Sequence, residues 1–459
     1  MTQNTTGIKK PTRTISGVAP IAVMLPPRGC NHGACTYCPT LNAPQSYTPD
    51  SPAVIRARKF KYDAYGQVKN RVDMLADMGH PVDKIELIIM GGTFLEYPRK
   101  FQYEFIKQCY NALNGSSSVK LAEAIAINET ADRRCVALCI ETRPDVLNDE
   151  QINDILKFGA TRVELGIQMP DDAMYKLTNR CHTVADAIAA TEKIKKAGFK
   201  LGYHIMPGLE TSNIKKDMKM FKMIFGNKGF KPDQIKIYPC QVIKGAALAD
   251  KYYKGRFVPY DKEQTADVII RMIKKTPRYC RIMRIMRAIP SEYLIAGITN
   301  LDMRKDIEEV IREDGTKINE IRFREIGFAL KEGRYVHPDT KMKTTKYKAS
   351  SGTEFFLEII NRDNILFGLG RLRLEKDKKI PAMIRELHVY GQASKIGAKD
   401  KDAAQHKGFG RQIVEEAENI ARKKGYKQIR IISGVGVREY YRKFGYETDD
   451  EGIYMIKDL

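Results

Sequence analysis

Cys30, Cys35 and Cys38 stand as C-x4-C-x2-C in the glycine- and proline-rich stretch from Pro26 to Pro39. Three thiolates on one loop can each take one iron of a cubane cluster and leave the fourth iron open. An open iron can chelate the amino and carboxylate groups of S-adenosylmethionine (AdoMet) and pass an electron into its sulfonium, yielding a 5′-deoxyadenosyl radical. A tetrahedral zinc site completed by His32 or by a distant residue is the rival reading. Three unrelated core thiols make a third reading, although a loop bracketed by Gly and Pro gives them little core to join.

A second candidate lies near the other end. Gln405-His406-Lys407-Gly408-Phe409-Gly410 runs directly into an amphipathic helical pattern, Arg411 to Lys424. Q-x-x-G-x-G at a helix start points free backbone amides outward, which suits a pyrophosphate such as that of coenzyme A. Upstream, the strand pattern Arg385 to Tyr390 has an edge that can hydrogen-bond a pantetheine arm. Downstream come the strand Ile429 to Ile432 and a helix bearing Tyr440 and Tyr441. A tyrosine beside a thiolate leaving group can donate a proton. Adjacent helical positions point in different directions, so at most one of the pair faces a cofactor.

The elements that position these residues are legible in outline. From Lys84 to Tyr238, short apolar runs (Ile85 to Met90, Val163 to Ile167, Leu201 to Met206, Ile235 to Tyr238) alternate with helical stretches such as Asp149 to Phe158 and Val184 to Ala197. This rhythm predicts βα units on a mostly parallel sheet, a partial or complete (β/α) barrel, with Gly198 stopping the second helix. Met90-Gly91-Gly92-Thr93 then sits at a strand's C-terminal end, where barrel sites gather, and Glu141 and Gln168 sit at later strand ends. Cys135 and Cys139 are expected to share a strand face, and Cys109, Cys181, Cys240 and Cys280 are expected to be core or bystander thiols. The α/β chain divides into 1–275 with the barrel, a basic bridge over 276–352, and a second α/β unit over 353–459. Arg278, Arg281, Arg284 and Arg287 recur every third residue in the bridge. Such spacing can line one helical face and meet phosphates, or leave arginines on a solvated helix.

The 459 residues exceed one ordinary core, and 43% hydrophobic with 29% charged residues describes a folded protein rather than a disordered one. Lysine and arginine outnumber the acids 78 to 56, a formal charge of +22 that favours a polyanionic partner or reflects solvated basic faces. Met1 to Lys10 lacks the apolar core of a signal peptide, and no apolar run is long enough to span a bilayer, so no membrane contact and a cytoplasmic location are expected. Nine cysteines are too few for a disulfide scaffold and fit a reducing compartment.

The triad, Gly91-Gly92-Thr93, Glu141-Thr142-Arg143-Pro144-Asp145 and Glu164-Leu165-Gly166-Ile167-Gln168 together resemble the radical-AdoMet superfamily. That resemblance implies a 4Fe-4S cluster on Cys30, Cys35 and Cys38, and AdoMet contacts from Gly91, Gly92, Thr93, Glu141 and Gln168. The order of strand, loop, helix, strand and tyrosine-bearing helix resembles the GNAT N-acetyltransferase fold. Both modules in this order, with Lys10 to Thr14, Gln45 to Thr48, Gly79 to Lys84 and Ser433 to Gly436, resemble the catalytic subunit of Elongator, archaeal forms in particular.

The family resemblance implies formation of 5-carboxymethyluridine, or its precursor, at the wobble position of tRNA from acetyl-CoA and AdoMet. In that scheme the deoxyadenosyl radical takes a hydrogen from the acetyl methyl group, the carbon radical adds to uridine C5, and hydrolysis releases CoA. It implies acetyl-CoA contacts from Lys84, Glu386, Leu387, His388, Val389, Gln405, Gly408, Phe409, Gly410, Arg411 and Tyr441, with Tyr441 and Lys84 catalytic. Lys84 lies in the first module, so acetyl-CoA is expected to touch both. A tRNA anticodon stem-loop is the expected partner, met by Arg281, Arg284 and Arg287, with a homo-oligomer or Elongator-like subunits beside it. Two departures stand out. Relatives usually carry a longer basic N-terminal extension, which predicts weaker tRNA binding here or help from another chain. The stretch Lys317 to Gly327 lacks the cysteines that many relatives place before it, which predicts no structural zinc. The competing readings are a protein lysine acetyltransferase, which leaves the triad without a purpose, and a catalytically silent tRNA-binding subunit, against which the intact motifs argue.

Overall fold

Each apolar run of the first half stops at a turn residue, Gly91, Pro170, Pro207 or Pro239, and each becomes a strand of one sheet. The computed structural model describes residues 8–298, 303–391 and 408–459. Seven strands, β1 (Ala19–Met24), β2 (Lys84–Met90), β3 (Arg134–Thr142), β4 (Arg162–Gln168), β5 (Lys200–Ile205), β6 (Gln234–Ile237) and β7 (Arg281–Ile285), pair in chain order and all in parallel. The order ends at β1 on one side and β7 on the other, so the barrel is partial. Helices pack outside it with local signals of their own. Asp149–Lys157 opens on a capping box between Asn148 and Gln151, and Val184–Ala197 opens on one between Thr183 and Asp186 and stops at Gly198, φ 94°.

The second sheet is mixed, with β8 (Thr340–Ala349), β9 (Gly352–Asn361), β10 (Leu366–Leu374), β11 (Ala382–Val389), β12 (Gln428–Ile432), β13 (Glu447–Thr448) and β14 (Tyr454–Asp458) in the order β8-β9-β10-β11-β12-β14-β13. The helix Phe409–Lys423 lies against β10, where Gly368 and Gly370 leave room for Ile413.

Three expectations change. The stretch read as a basic bridge supplies the last strand of the first sheet and the first of the second. The arginines line no helix, because Arg281–Ile285 is a strand in register with β6. Arg278 pairs with Glu358 at 2.5 Å, Arg281 is buried against Glu325 at 2.7 Å and Tyr390 at 3.1 Å, and Arg287 donates to the Ser46 carbonyl; Arg284 is the one exposed to solvent. Finally, a bulge in β3 between Cys135 and Ala137 sends Cys135 outward to Tyr110 and turns Cys139 inward toward Arg162 and Glu164.

The second module docks on the N-terminal ends of the barrel strands. Asp233, fully buried just before β6, takes Arg385 through both carboxylate oxygens at 2.8 and 2.9 Å and also faces Lys195 at 3.4 Å and Arg371 at 3.5 Å. Glu386 takes Lys200 at 2.5 Å and Arg371 at 2.6 Å, and the His388 ring lies 2.9 Å from the Ser16 carbonyl. Burial alone would raise these carboxyls. Lys200 and Arg371 overrule it and draw Glu386 down to about 2, and Arg385 and Lys195 hold Asp233 well below its ordinary value. A depressed carboxyl stabilises the fold at all pH above its unfolded value near ~4, and that contribution is lost as pH falls through the folded value. The urea midpoint is therefore expected to hold from pH 7 to about 5 and to fall steeply between about 4 and 2, read by circular dichroism.

Candidate active site

The triad loop crosses the C-terminal mouth of the barrel between β1 and β2. Cys38 lies beside Gln45 Nε2 at 3.0 Å and Ser46 Oγ at 3.2 Å, Cys35 beside His32 Nε2 at 3.6 Å and Arg180 Nη1 at 3.7 Å, and Cys30 beside Thr93 Oγ1 at 3.9 Å. Burial pushes the Cys30 and Cys38 thiols up, and each is raised further by another thiol of the set. Burial opposes ionisation of Cys35 too, but the His32 hydrogen bond and the Arg180 charge bring it down to about 7.

Zinc and a cluster ask for different spacings. Ligand sulfurs on one tetrahedral zinc, with 2.3 Å bonds, stand about 3.8 Å apart. Among the described residues, the one set of three such ligand atoms within 4.8 Å of each other is Glu141, Glu164 and His204, so the triad with His32 is not drawn in that tightly. Three thiols at one mouth can each hold one corner of a cluster. The Glu141 set itself already holds a cation, since Lys236 Nζ lies 2.8 Å from Glu141 and 2.5 Å from Glu164.

The residues expected around AdoMet meet at the same mouth. Gly91 and Gly92 adopt φ of 115° and 101°, which a side chain would strain, and a Cβ on Gly91 would stand 2.8 Å from Met24 Sδ. Thr93 is buried and accepts from Arg143 at 3.3 Å, while Arg143 pairs with Glu96 at 2.8 Å and Asp145 at 2.7 Å. Gln168 has φ 60°, and its side-chain oxygen is buried with no partner among the described residues, an acceptor ready for a ligand hydroxyl.

The second constellation sits at the opposite end. β11 pairs with β12 only over Ala382, Met383 and Ile384, so among the described residues no strand runs beside Glu386, Leu387 and His388 on that side. The edge at Glu386 to His388 is the one a pantetheine arm can join. Gly408, φ 73°, turns the chain into the helix Phe409–Lys423, and a Cβ on Gly410 would collide with the Tyr440 hydroxyl. Arg411, in the first turn of the helix, has its guanidinium 4.8 Å from the Phe444 ring. Gln405 lies outside the described residues. Of the tyrosines, Tyr440 faces Gly410, whereas Tyr441 is buried 5.4 Å from Tyr440 and 6.2 Å from Tyr446 by ring centres, with burial raising its hydroxyl.

Lys84 opens β2, in register with Arg134, whose side chain backs onto Gly436 of the loop after β12. The structure thus brings Lys84 to the docked second module and keeps it from the triad. At ~3.3 Å per residue, the six steps of β2 put it about 20 Å from Met90 at the mouth. Burial lowers its ammonium's pKa.

Between the two ends, the barrel lumen carries charge that the motifs did not announce. Arg162 joins Glu86 and Glu164; Glu164 also takes His204 at 2.8 Å and Gln234 at 2.9 Å; Lys236 continues to Glu141. Gly202 leaves the gap across β5 through which Glu164 and Gln234 meet. A usable signal was present: strands of a doubly covered parallel sheet are ordinarily apolar throughout, yet Lys84, Glu86, Arg162, Glu164, Gln234 and Lys236 fall at alternate positions. Arg180, half-buried beside Cys35 and bonded to the Gly166 carbonyl, was also missed.

Residues 24–224 match the Radical SAM superfamily and 232–313 match the Radical_SAM C-terminal domain. Over 98% of its length the chain is 45% identical to the whole of a tRNA uridine(34) acetyltransferase of Dehalococcoides mccartyi (strain CBDB1). The chain belongs to the Elongator complex protein 3 family. A member from Schizosaccharomyces pombe is 38% identical across 98% of this chain and 86% of its own length. The archaeal Elp3 of Methanocaldococcus infernus, solved with an N-terminal deletion, superimposes with a TM-score of 0.85 and 41% identity over 97% of this chain and all of that one. The family's radical-AdoMet domain implies a 4Fe-4S cluster and AdoMet, and the donor set at the mouth fits both. Among the described residues no helix is long and apolar enough to cross a membrane.

The seam between modules leaves little room. A Cβ on Gly434 would overlap the Val136 backbone carbonyl. Gly434→Ala is expected to cost about 1–3 kcal/mol, measured by thermal unfolding.

Proposed function

We infer that this chain modifies the wobble uridine of tRNA, forming 5-carboxymethyluridine or its precursor from acetyl-CoA with radical AdoMet chemistry. The observation that carries the reading is the pairing, on one barrel, of a thiol triad at the C-terminal mouth with a β11 that runs on past its pairing with β12 and a glycine-led helix start at the N-terminal seam. Relatives named tRNA uridine(34) acetyltransferase support it at 44 to 45% identity.

A 4Fe-4S cluster on Cys30, Cys35 and Cys38, with AdoMet beside it, supplies a one-electron cleavage that yields a hydrogen-abstracting radical. Gly91 and Gly92 let a ligand approach the backbone, Gln168 offers an acceptor, and Arg143, Glu96 and Asp145 brace Thr93. At the seam, the β11 edge at Glu386 to His388 orients the pantetheine arm, the amides after Gly408 receive the pyrophosphate, and Lys84 adds a cation. Tyr441 is the proton donor to the departing thiolate. Arg284 is the exposed member of the arginine series, and the half-buried Arg13, Arg56 and Arg71, of which Arg56 and Arg71 are lowered by burial and then by the neighbouring arginine charge, offer a second contact for phosphodiesters. Relatives named Elongator complex protein 3 support assembly with further subunits.

The test is acetyl-CoA hydrolysis by anaerobically reconstituted protein, with and without tRNA bearing an unmodified wobble uridine, followed by nucleoside mass spectrometry. The expected result is tRNA-stimulated CoA release with a carboxymethylated uridine, slowed by about 10²-fold in Tyr441→Phe. A bound cluster with neither stimulation nor a new nucleoside would sink the reading.

A further inference from the structure

The Cys38 sulfur has the closest hydrogen-bonding partners of the three. Gln45 is buried, and its amide nitrogen stands 3.0 Å from Cys38 Sγ and 3.5 Å from the Pro39 carbonyl oxygen. That second acceptor fixes the amide so that its NH2, not its oxygen, faces the sulfur. Ser46 Oγ lies 3.2 Å from the same sulfur. A thiolate bound to iron has no proton to give, so both groups must then donate. His32 and Arg180 stand 3.6 and 3.7 Å from Cys35, which also meets the Tyr37 hydroxyl, and Thr93 stands 3.9 Å from Cys30.

The chain is held in this arrangement at a cost in backbone freedom. Ser46 has φ 75°, a left-handed conformation that a non-glycine residue seldom adopts. Arg287 donates to the Ser46 carbonyl across 241 residues of sequence, and its charge lies near Cys38. On the other side, Gly91 and Gly92 give the segment its space: Cβ atoms there would stand 3.2 Å from Pro44 Cβ and 3.5 Å from Gln45 Cβ. Pro44 to Ser46 is thus packed between the glycine pair and the third cysteine, clamped by an arginine from the far edge strand's end.

We propose that Gln45 and Ser46 are positioning residues that raise the reduction potential of the iron–sulfur cluster by hydrogen-bonding the Cys38 sulfur, with Arg287 holding the Ser46 peptide in place. The inference rests on the triad holding a 4Fe-4S cluster. Reduction adds negative charge, part of which falls on the thiolate sulfurs, so a donor at the sulfur stabilises the reduced form more than the oxidised one. Cluster potential is set in this way by hydrogen bonds, burial and net charge, and the mouth of this barrel concentrates the shortest hydrogen bonds on one ligand.

The experiment is a dye-mediated redox titration of the full-length, anaerobically reconstituted chain, followed by electron paramagnetic resonance, with iron and sulfide counted per chain. Gln45→Leu and Ser46→Ala are expected to keep wild-type iron and sulfide and to shift the potential to more negative values, Gln45→Leu further than Ser46→Ala. Gln45→Glu, which sets a carboxylate against the sulfur, is expected to shift it further still. Arg287→Met moves it in the same direction as Ser46→Ala. Full cluster content with an unchanged or more positive potential in both Gln45→Leu and Ser46→Ala overturns the proposal. If Gln45→Leu takes up no cluster, the Ser46→Ala titration decides alone. Wild-type protein that binds zinc in place of iron and sulfide overturns the reading of the triad and this proposal with it, and the metal count tells that failure from the other.

Discussion

Cys30→Ala is expected to lower iron and sulfide to background and to abolish the modified uridine, while acetyl-CoA binding stays within about twofold of wild type. The contrast follows from the distance between the two ends of the barrel. The triad loop lies at the C-terminal mouth and the β11 edge at the N-terminal seam, and the length of β2 separates them by about 20 Å. Two remaining thiols on one loop leave a second corner of the cluster without a protein ligand, and no other cysteine replaces it: Cys109, Cys135, Cys139, Cys240 and Cys280 are buried elsewhere in the core, and Cys181 is exposed. Iron analysis, nucleoside mass spectrometry and calorimetric titration with acetyl-CoA check the three parts separately. Cys181→Ala is the matched control and should leave all three unchanged. Loss of acetyl-CoA binding in Cys30→Ala would mean that the two ends fold as one unit and would defeat the separation argued from β2.

Asp233→Ala is expected to be the most damaging substitution for stability, at about 3–5 kcal/mol. Asp233 is fully buried at the seam, where it holds Arg385 through two hydrogen bonds, stands near Lys195 and Arg371, and accepts the Leu201 backbone N–H at 2.8 Å. Its removal leaves three buried cations to share Glu354 and Glu386. The loss should appear in urea unfolding as a lower midpoint, and limited proteolysis should release the C-terminal module earlier. Asp233→Asn keeps much of the hydrogen bonding and loses only the charge, so it should fall between. An unfolding free energy within about 1 kcal/mol of wild type for Asp233→Ala would mean that the seam is held by its apolar contacts instead.

The sequence by itself determined the parts whose chemistry is local. Cys30, Cys35 and Cys38 fall within nine residues, so their loop brings them together whatever the rest of the fold does. The same holds for Gly91-Gly92-Thr93 after an apolar run, for Gly408 before an amphipathic helix, and for helix stops such as Gly198, because each depends on backbone geometry within a few residues. Alternation of apolar runs with helical stretches was enough for a parallel βα sheet. Three-residue spacing of arginines was not enough for a helix, since the strand register of β7 against β6 overrides local periodicity. The lumen array was decided by sheet order: Glu86, Glu141, Arg162, Glu164, His204 and Lys236 come from five strands and meet only because β2 to β6 lie side by side. A single bulge in β3 set which cysteine faces that lumen. The seam was decided the same way, for Asp233 and Arg385 are 152 residues apart and neither carries a local signal. Buried charges find partners across the fold rather than along the chain, because the cost of leaving one unpaired is settled only when packing excludes water.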